Sequence, residues 1–315
     1  MSFNDIAGRT ANMRVFITGA SGHVGSALVP ELLQHGHSVV GLARSDESAA
    51  RLAEWGADSV RGTLDDLDVL RSAAQDADGV VHLAFRHDAM QVGDLAGAAE
   101  TDLTAVRAIA DVMVGTDKPL VGTSGTGLLG LAQLGRTGTE QDWLPSGYRI
   151  DTENLIVDLA DKGVRSSVVR LPAITHSPLD HHGFAPSLIG FARENGFAAY
   201  LGDGANRWPA VHTLDAARLY RLALESAPAG TRLHAVADEG IEFRRLAEAI
   251  GRGLDLPARS ITPDEAAQYL KFLAHFAGMD NPSSSAWTRE LLDWEPTHPG
   301  LLDDLEDGFY FRDNG

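Results

Sequence analysis

The chain contains no cysteine, which excludes disulfides and thiolate metal sites. Positive charge is scarce: 26 Lys and Arg stand against 44 Asp and Glu, a net of -18. That balance opposes extended contact with nucleic acid or an anionic membrane surface. No run approaches the roughly 18 consecutive apolar residues of a membrane-spanning helix, and Met1 to Met13 is polar, without an apolar core of signal-peptide length. There is no internal repeat and no low-complexity tract. These absences leave small-molecule chemistry in a cytoplasmic protein, with no nucleic-acid or membrane partner expected; the oligomeric state stays open, a homodimer being compatible. A chain of 315 residues with 44% apolar content can bury a large core, as one body with a smaller lobe.

What is present begins at Val15-Phe16-Ile17-Thr18-Gly19-Ala20-Ser21-Gly22-His23-Val24-Gly25, where a β-branched run breaks into glycines spaced G-x-x-G-x-x-G and continues as an amphipathic helix. Val24, Leu28 and Leu32, with Val29 and Leu33, form the apolar stripe of that helix. A strand, a glycine turn and a helix in this order read as a nucleotide-binding unit. The glycines allow a tight turn, backbone approach to a pyrophosphate and close packing of helix on sheet, and the helix N-terminus favours the anion.

A second strand, Ser38 to Ala43, ends at Ala43-Arg44-Ser45. NAD-selective folds place a carboxylate near this point for the ribose 2'-hydroxyl, whereas a basic residue suits a 2'-phosphate. Ala43 followed by Arg44 and Ser45 therefore favours NADP (NADPH), with NAD second. Further strands are expected at Asp58–Gly62, Gly79–Ala84, Lys118–Gly127, Arg165–Leu171 and Arg232–Ala237. Helices are expected at Asp46–Trp55, Leu67–Ala74, Thr101–Val114 with Leu103, Val106 and Ile109 inward, and Ile150–Lys162. This alternation predicts an α/β fold, a Rossmann doubly wound parallel sheet with right-handed crossovers and a smaller C-terminal substrate lobe. The expected division is an extension over 1–12, a dinucleotide-binding domain over 13–172, and 173–315 mainly as the substrate lobe with some segments returning to the body.

The carboxyl edge of such a sheet faces the ligand crevice. Phe85-Arg86-His87-Asp88 follows the fourth strand, and His87 is a candidate proton donor with an ordinary pKa of about 6.5; a capping or surface histidine is the alternative. Ser124 and Thr126 end the fifth strand and could hold a substrate oxygen or merely form a turn. Beyond Pro172 the composition shifts to Pro, Gly, His and aromatic residues. There His176 is a third donor candidate or a wall residue, Gly202–Trp208 is expected as a loop, and Val211–Ala217 leads into a helix. His176, His181, His182 and Asp180 could ligate metal chemically, but their spacing matches no established pattern, so no metal is expected. Thr262-Pro263-Asp264-Glu265 reads as a capped helix start.

Thr18–Gly25, His82-Leu83-Ala84, Arg170-Leu171-Pro172 and Val211-His212-Thr213-Leu214-Asp215-Ala216-Ala217, in this order, resemble the extended short-chain dehydrogenase/reductases, the superfamily with the NAD-dependent epimerases and dehydratases. The resemblance implies cofactor contacts at Thr18, Gly19, Ser21, Gly22, His23, Val24, Arg44, Ser45, Leu83, Ala84, Phe85, Ser124, Arg149, Leu171 and Pro172. It also implies a Tyr-x-x-x-Lys pair, the phenol moving the carbonyl proton and the lysine lowering its pKa while holding the ribose. Here Tyr148 is followed four residues later by Thr152. Members often carry a Glu four residues after the Lys; Glu153, 17 before Arg170, puts Arg149 at the Lys position and Pro145 at the Tyr position. Either Tyr148 works displaced, or the pair is absent and Arg149 keeps its electrostatic part; the second is favoured. The expected activity is an atypical NADP-dependent oxidoreductase acting on a carbonyl or alcohol of a small organic molecule, with Tyr148 and His87 as donors. Alternatives are a non-catalytic NADP-binding sensor and an epimerase or dehydratase using transient oxidation.

Overall fold

The computed structural model describes residues 12–86 and 93–312. The stretch through Ala11 and the candidate His87 lie outside these residues. The first part of the chain alternates β1 (Arg14–Thr18), β2 (Ser38–Ala43), β3 (Asp58–Arg61), β4 (Gly79–His82), β5 (Pro119–Gly125) and β6 (Arg165–Leu171) with helices. The helices are α1 (His23–Gln34), α2 (Asp46–Glu54), α3 (Leu67–Asp76), α4 (Leu95–Asp111), α5 (Gly127–Leu131) and α6 (Ile150–Asp158). Beyond Pro172 come β7 (Ile174–His176), α7 (Phe184–Asn195), β8 (Ala198–Leu201), β9 (Arg207–His212), α8 (Thr213–Ser226), β10 (Thr231–His234), β11 (Asp238–Glu242), α9 (Phe243–Leu254) and β12 (Ala258–Ile261).

Seven strands form one parallel sheet in the order β10-β6-β5-β4-β1-β2-β3. The winding reverses between β1 and β4, so their carboxyl ends flank the crevice where doubly wound sheets take ligands. Helices on both faces make the inner strands continuously apolar. Val15 and Ile17 pack under α1 and α8, while Phe16, between them, packs under α3 and α4, as the period of two requires. α8 and β10 come from beyond Pro172, so the C-terminal part builds the body as well as the lobe. The lobe holds the sheet β11-β9-β7 and the pair β12-β8 around a separate core that includes Leu188, Ile189, Trp208, Phe243 and Leu246. Among the described residues no helix is long and apolar enough to cross a membrane.

Several boundaries differ from expectation for local reasons. α4 starts six residues before Thr101, because the Asp94 side chain caps it by accepting the Gly97 N–H at 2.9 Å. Its buried stripe runs through Asp102, Ala105, Val106 and Ile109, and Leu103, expected inward, is half-buried. β5 stops at Gly125, and Gly127 opens the short helix α5. α6 gives way after Asp158 to a tighter turn over Leu159–Lys162. β9 begins at Arg207, which shortens the expected loop. Thr262 and Glu265 close a capping box on the turn Pro263–Glu265.

Candidate active site

β1 runs into the glycine turn and α1. Gly19 has φ +72°, and a Cβ there would stand 2.8 Å from the Ala84 amide nitrogen. A Cβ on Gly25 would lie 2.3 and 2.4 Å from the Ala20 and Gly19 carbonyl oxygens, so turn and helix close this tightly only on glycine. Gly22 differs, because a Cβ there would meet only the Gly19 oxygen, at 3.2 Å. Its missing side chain preserves space outside the fold. Gly22 also caps α1 without any side-chain hydrogen bond, and the first turn carries no acidic residue. The first-turn amides at His23 and Val24 have no intrahelical acceptor, and this positive end of the helix suits a pyrophosphate.

The turn is anchored from beneath. Thr18 Oγ1 lies 2.8 Å from His82 Nδ1 and accepts the Ala84 N–H at 3.3 Å, while His82 Nε2 lies 3.1 Å from Asp102 Oδ1. His82 and Asp102 are both fully buried. Burial opposes the Asp102 charge, but the His82 hydrogen bond and the Arg149 guanidinium outweigh it and hold the carboxyl below its ordinary range. This tether ties residues on either side of the crevice to each other, and the sequence reading passed over Asp102. A charged residue on the buried stripe of an apolar helix was the available signal.

At the end of β2, Ala43 is buried and Arg44 is exposed, with no ion pair or hydrogen bond among the described residues. Ser45 is already engaged: its hydroxyl caps α2 by accepting the Ser48 N–H at 3.1 Å.

Arg149 is the N-cap of α6 and adopts a left-handed conformation, φ +60°. Such a conformation in a non-glycine residue costs of order 1–3 kcal/mol and marks a position held by its surroundings. Here its Nη2 donates to the Thr123 carbonyl at 2.9 Å and its Cζ stands 4.0 Å from the Phe85 ring centroid, over the ends of β5 and β4. Its buried Nε has no partner among the described residues. Tyr148, the adjacent residue, is 58% exposed. The rotation of α6 is fixed by Glu153, whose Oε1 accepts from Arg170 Nη2 at 2.6 Å and Oε2 from Arg170 Nε at 3.1 Å, with Arg232 Nε adding a bond at 2.8 Å.

The two hydroxyls expected at the ligand edge are both buried. Ser124 Oγ has no partner among the described residues, and Thr126 Oγ1 lies against the Asn281 side-chain amide at 3.2 Å. That commitment removes Thr126 from the free hydroxyls. Thr123, unremarked in the sequence, donates from Oγ1 to the His82 carbonyl at 2.7 Å and lies 2.8 Å from the Tyr220 hydroxyl. Burial raises the Tyr220 phenol above its ordinary range and keeps it neutral.

His176 has no exposed atom; its Nδ1 lies 2.6 Å from Asp304 Oδ2 and its ring meets the edge of His212 at 5.5 Å. It stands at the junction between body and lobe, as the wall reading expects, and its Nε2 has no partner among the described residues. His23 joins the same junction through Nε2, 2.8 Å from Thr213 Oγ1, and burial together with the neighbouring histidines lowers its pKa to about 4. Asp180 accepts from the Gly183 amide at 2.7 Å and the Tyr310 hydroxyl at 3.3 Å, and burial pushes its pKa up to about 6. The His181 and His182 rings stand 6.3 Å apart. Among the described residues no group of three or more His, Cys, Asp or Glu side chains could hold a metal ion.

Residues 15–236 match the model of the NAD dependent epimerase/dehydratase family. A protein of Schizosaccharomyces pombe is 44% identical over 301 residues, 95% of this chain and 100% of its own. The 4-hydroxy-2-methyl-3-oxo-4-farnesyl-3,4-dihydroquinoline-1-oxide ketoreductase of Stigmatella aurantiaca is 29% identical over 236 residues, 69% of this chain and 66% of its own. Among solved structures, a dTDP-glucose 4,6-dehydratase from Streptomyces venezuelae with NAD and TYD bound shares the fold, with a TM-score of 0.78 at 20% identity over 96% of this chain and 98% of its own.

Proposed function

The chain belongs to the NAD dependent epimerase/dehydratase family, and we propose that it is an NADP-dependent oxidoreductase acting on a carbonyl or alcohol of a small organic molecule. The observation that carries this reading is the Arg149 guanidinium, brought by a strained backbone over the ends of β4 and β5 beside the dinucleotide turn. The first-turn amides of α1 receive the pyrophosphate, Arg44 the 2'-phosphate, and the segments at Phe85 and at Leu171-Pro172 border the nicotinamide end. A bound nicotinamide supplies or accepts hydride. The chain then has to hold the substrate oxygen and move one proton. A guanidinium is a hydrogen-bond donor and not a proton-transfer group, so Arg149 donates hydrogen bonds and offsets charge developing on that oxygen. The proton falls to Tyr148 or His87. The ketoreductase activity named for the Stigmatella relative is of this class.

The deciding experiment is NADPH oxidation with a panel of aldehydes and ketones, alongside calorimetric titration of NADPH. Turnover that falls in Arg149→Met with cofactor affinity retained supports the reading. Tight NADPH binding without turnover of any carbonyl would leave the non-catalytic binding module in its place. Oxidised cofactor retained through purification would favour an epimerase or dehydratase using transient oxidation.

A further inference from the structure

A cavity of about 530 Å³ opens beyond the carboxyl end of β5, between α5 with its following loop and residues 275–282 of the lobe. The volume is that of a small-molecule site. It shares a wall with the strand edge, because Asn281 in its lining holds the Thr126 hydroxyl that immediately precedes α5. The edge next to it carries little side-chain bulk: a Cβ on Gly125 would meet nothing nearer than 3.7 Å, and one on Gly127 nothing within 4 Å. Its apolar walls are Leu129, Leu131, Leu134, Met279 and Pro282, and Leu131 stands 63% exposed. A leucine so exposed at the rim of a cavity is apolar surface left uncovered by the described residues.

Two charged side chains of this lining, Arg136 and Asp280, are paired with opposite charges, and the His275 imidazole and Gln133 amide stand beside them. Arg136 makes two parallel bonds to Asp142, at 2.6 and 2.8 Å, and they hold that carboxyl well below its usual range. Asp280 receives two from Arg207, at 3.0 and 2.9 Å. No lysine lines the cavity and its one arginine is spent on a carboxylate, so a diphosphate placed here would meet no free guanidinium or ammonium among the described residues and would face the Asp280 carboxylate. The geometry points to this cavity as the seat of the substrate, and to an uncharged, predominantly apolar ketone or aldehyde, not a nucleotide diphosphate, as the class it takes. This rests on the oxidoreductase reading and names its substrate class.

The probe is 6-propionyl-2-dimethylaminonaphthalene, an uncharged aryl ketone whose emission moves to the blue in apolar surroundings. NADPH-loaded protein is expected to bind it saturably with a blue shift, 2-decanone to displace it, and UDP-glucose at equal concentration to leave it bound. Leu131→Asp, at an exposed position that folding tolerates, is expected to weaken binding about tenfold or more by placing a charge on the apolar rim. Val114→Asp, at a position 49% exposed beyond the end of α4, is expected to leave it unchanged. Displacement by UDP-glucose, equal losses in the two variants, or no saturable binding by the folded NADPH-loaded protein would each overturn the assignment. Saturable binding with no reduction of the probe or of 2-decanone would instead remove the oxidoreductase reading and leave the apolar site standing.

Discussion

Glu153 on α6 and Arg170 on β6 are joined by two hydrogen bonds, 2.6 and 3.1 Å, with both side chains buried. The pair fixes the rotation of α6, one turn after Arg149, and with it which side chain at the helix start reaches the strand ends. Burial opposes the Glu153 charge, and the Arg170 contacts more than reverse this, keeping the carboxyl below its ordinary range. Removing one partner leaves a buried uncompensated charge, so Glu153→Ala is expected to cost about 3–5 kcal/mol. Urea denaturation checks it; a loss within about 0.5 kcal/mol, the range of an ordinary surface change, would mean that the helix is oriented by its apolar contacts alone.

Two glycine substitutions in the turn should separate fold from ligand. Gly25→Val drives a side chain into two carbonyl oxygens and is expected to lower the melting temperature sharply. Gly22→Val has only the Gly19 oxygen to meet inside the protein, so it is expected to fold and to lose NADPH binding. Calorimetry with NADPH on the folded Gly22 variant is the check, and unchanged affinity would refute the placement of the pyrophosphate.

Arg44 has no partner to lose among the described residues, so its replacement reads on the ligand alone. Arg44→Ala is expected to weaken NADPH by roughly 1–3 kcal/mol, the scale of charge-assisted hydrogen bonds, with NADH affinity little changed. Equal losses for both cofactors would assign the residue to folding.

The proton donor is tested by three variants assayed together. Tyr148, exposed and next to the Arg149 whose side chain reaches the strand ends, is expected to tolerate Tyr148→Phe with turnover nearly intact. His87→Ala is expected to reduce turnover by about 10² to 10⁴-fold, the range for a lost general acid. Arg149→Met is expected to lower kcat through lost charge stabilisation. Collapse of activity in Tyr148→Phe beside a near-normal His87 variant would return the chemistry to a displaced tyrosine.

His234 gives a pH dependence with a definite sign. Its Nδ1 donates to the Ser284 carbonyl at 2.7 Å and its Nε2 faces Arg170 Nη1 at 3.2 Å, so a second ring proton would meet a guanidinium. Burial and Arg170 together lower its pKa to about 4. The unfolded chain binds this proton near pH 6.5 and the folded one only near 4, so the contribution is present above 6.5 and is lost as pH falls towards 4. Stability is expected to drop across that window with proton uptake on unfolding, and His234→Gln to reduce the uptake by about one proton. An unaltered slope in the variant would show that the drop comes from other groups, His23 and His212 being the first to examine.

The sequence by itself determined the strand-turn-helix, the parallel alternation and the absence of a Tyr-x-x-x-Lys pair, because period-two apolar runs, glycine spacing and one helical turn of spacing are local quantities. The spacing of Glu153 and Arg170 set the register of the helix start, whereas their buried pairing came only with the structure. Other features needed three dimensions. Asp102 is 20 residues from His82 and 84 from Thr18, and only the winding of the sheet brings the three into one chain of hydrogen bonds. Thr126 lost its freedom to Asn281, 155 residues away, and His176 met Asp304 across 128. The left-handed backbone of Arg149 carried no signal in its neighbours, since its side chain is held by Thr123 on β5 and by Phe85 just beyond β4. Local pattern decides where elements begin, whereas which polar group is already satisfied depends on partners that folding brings together from distant parts of the chain.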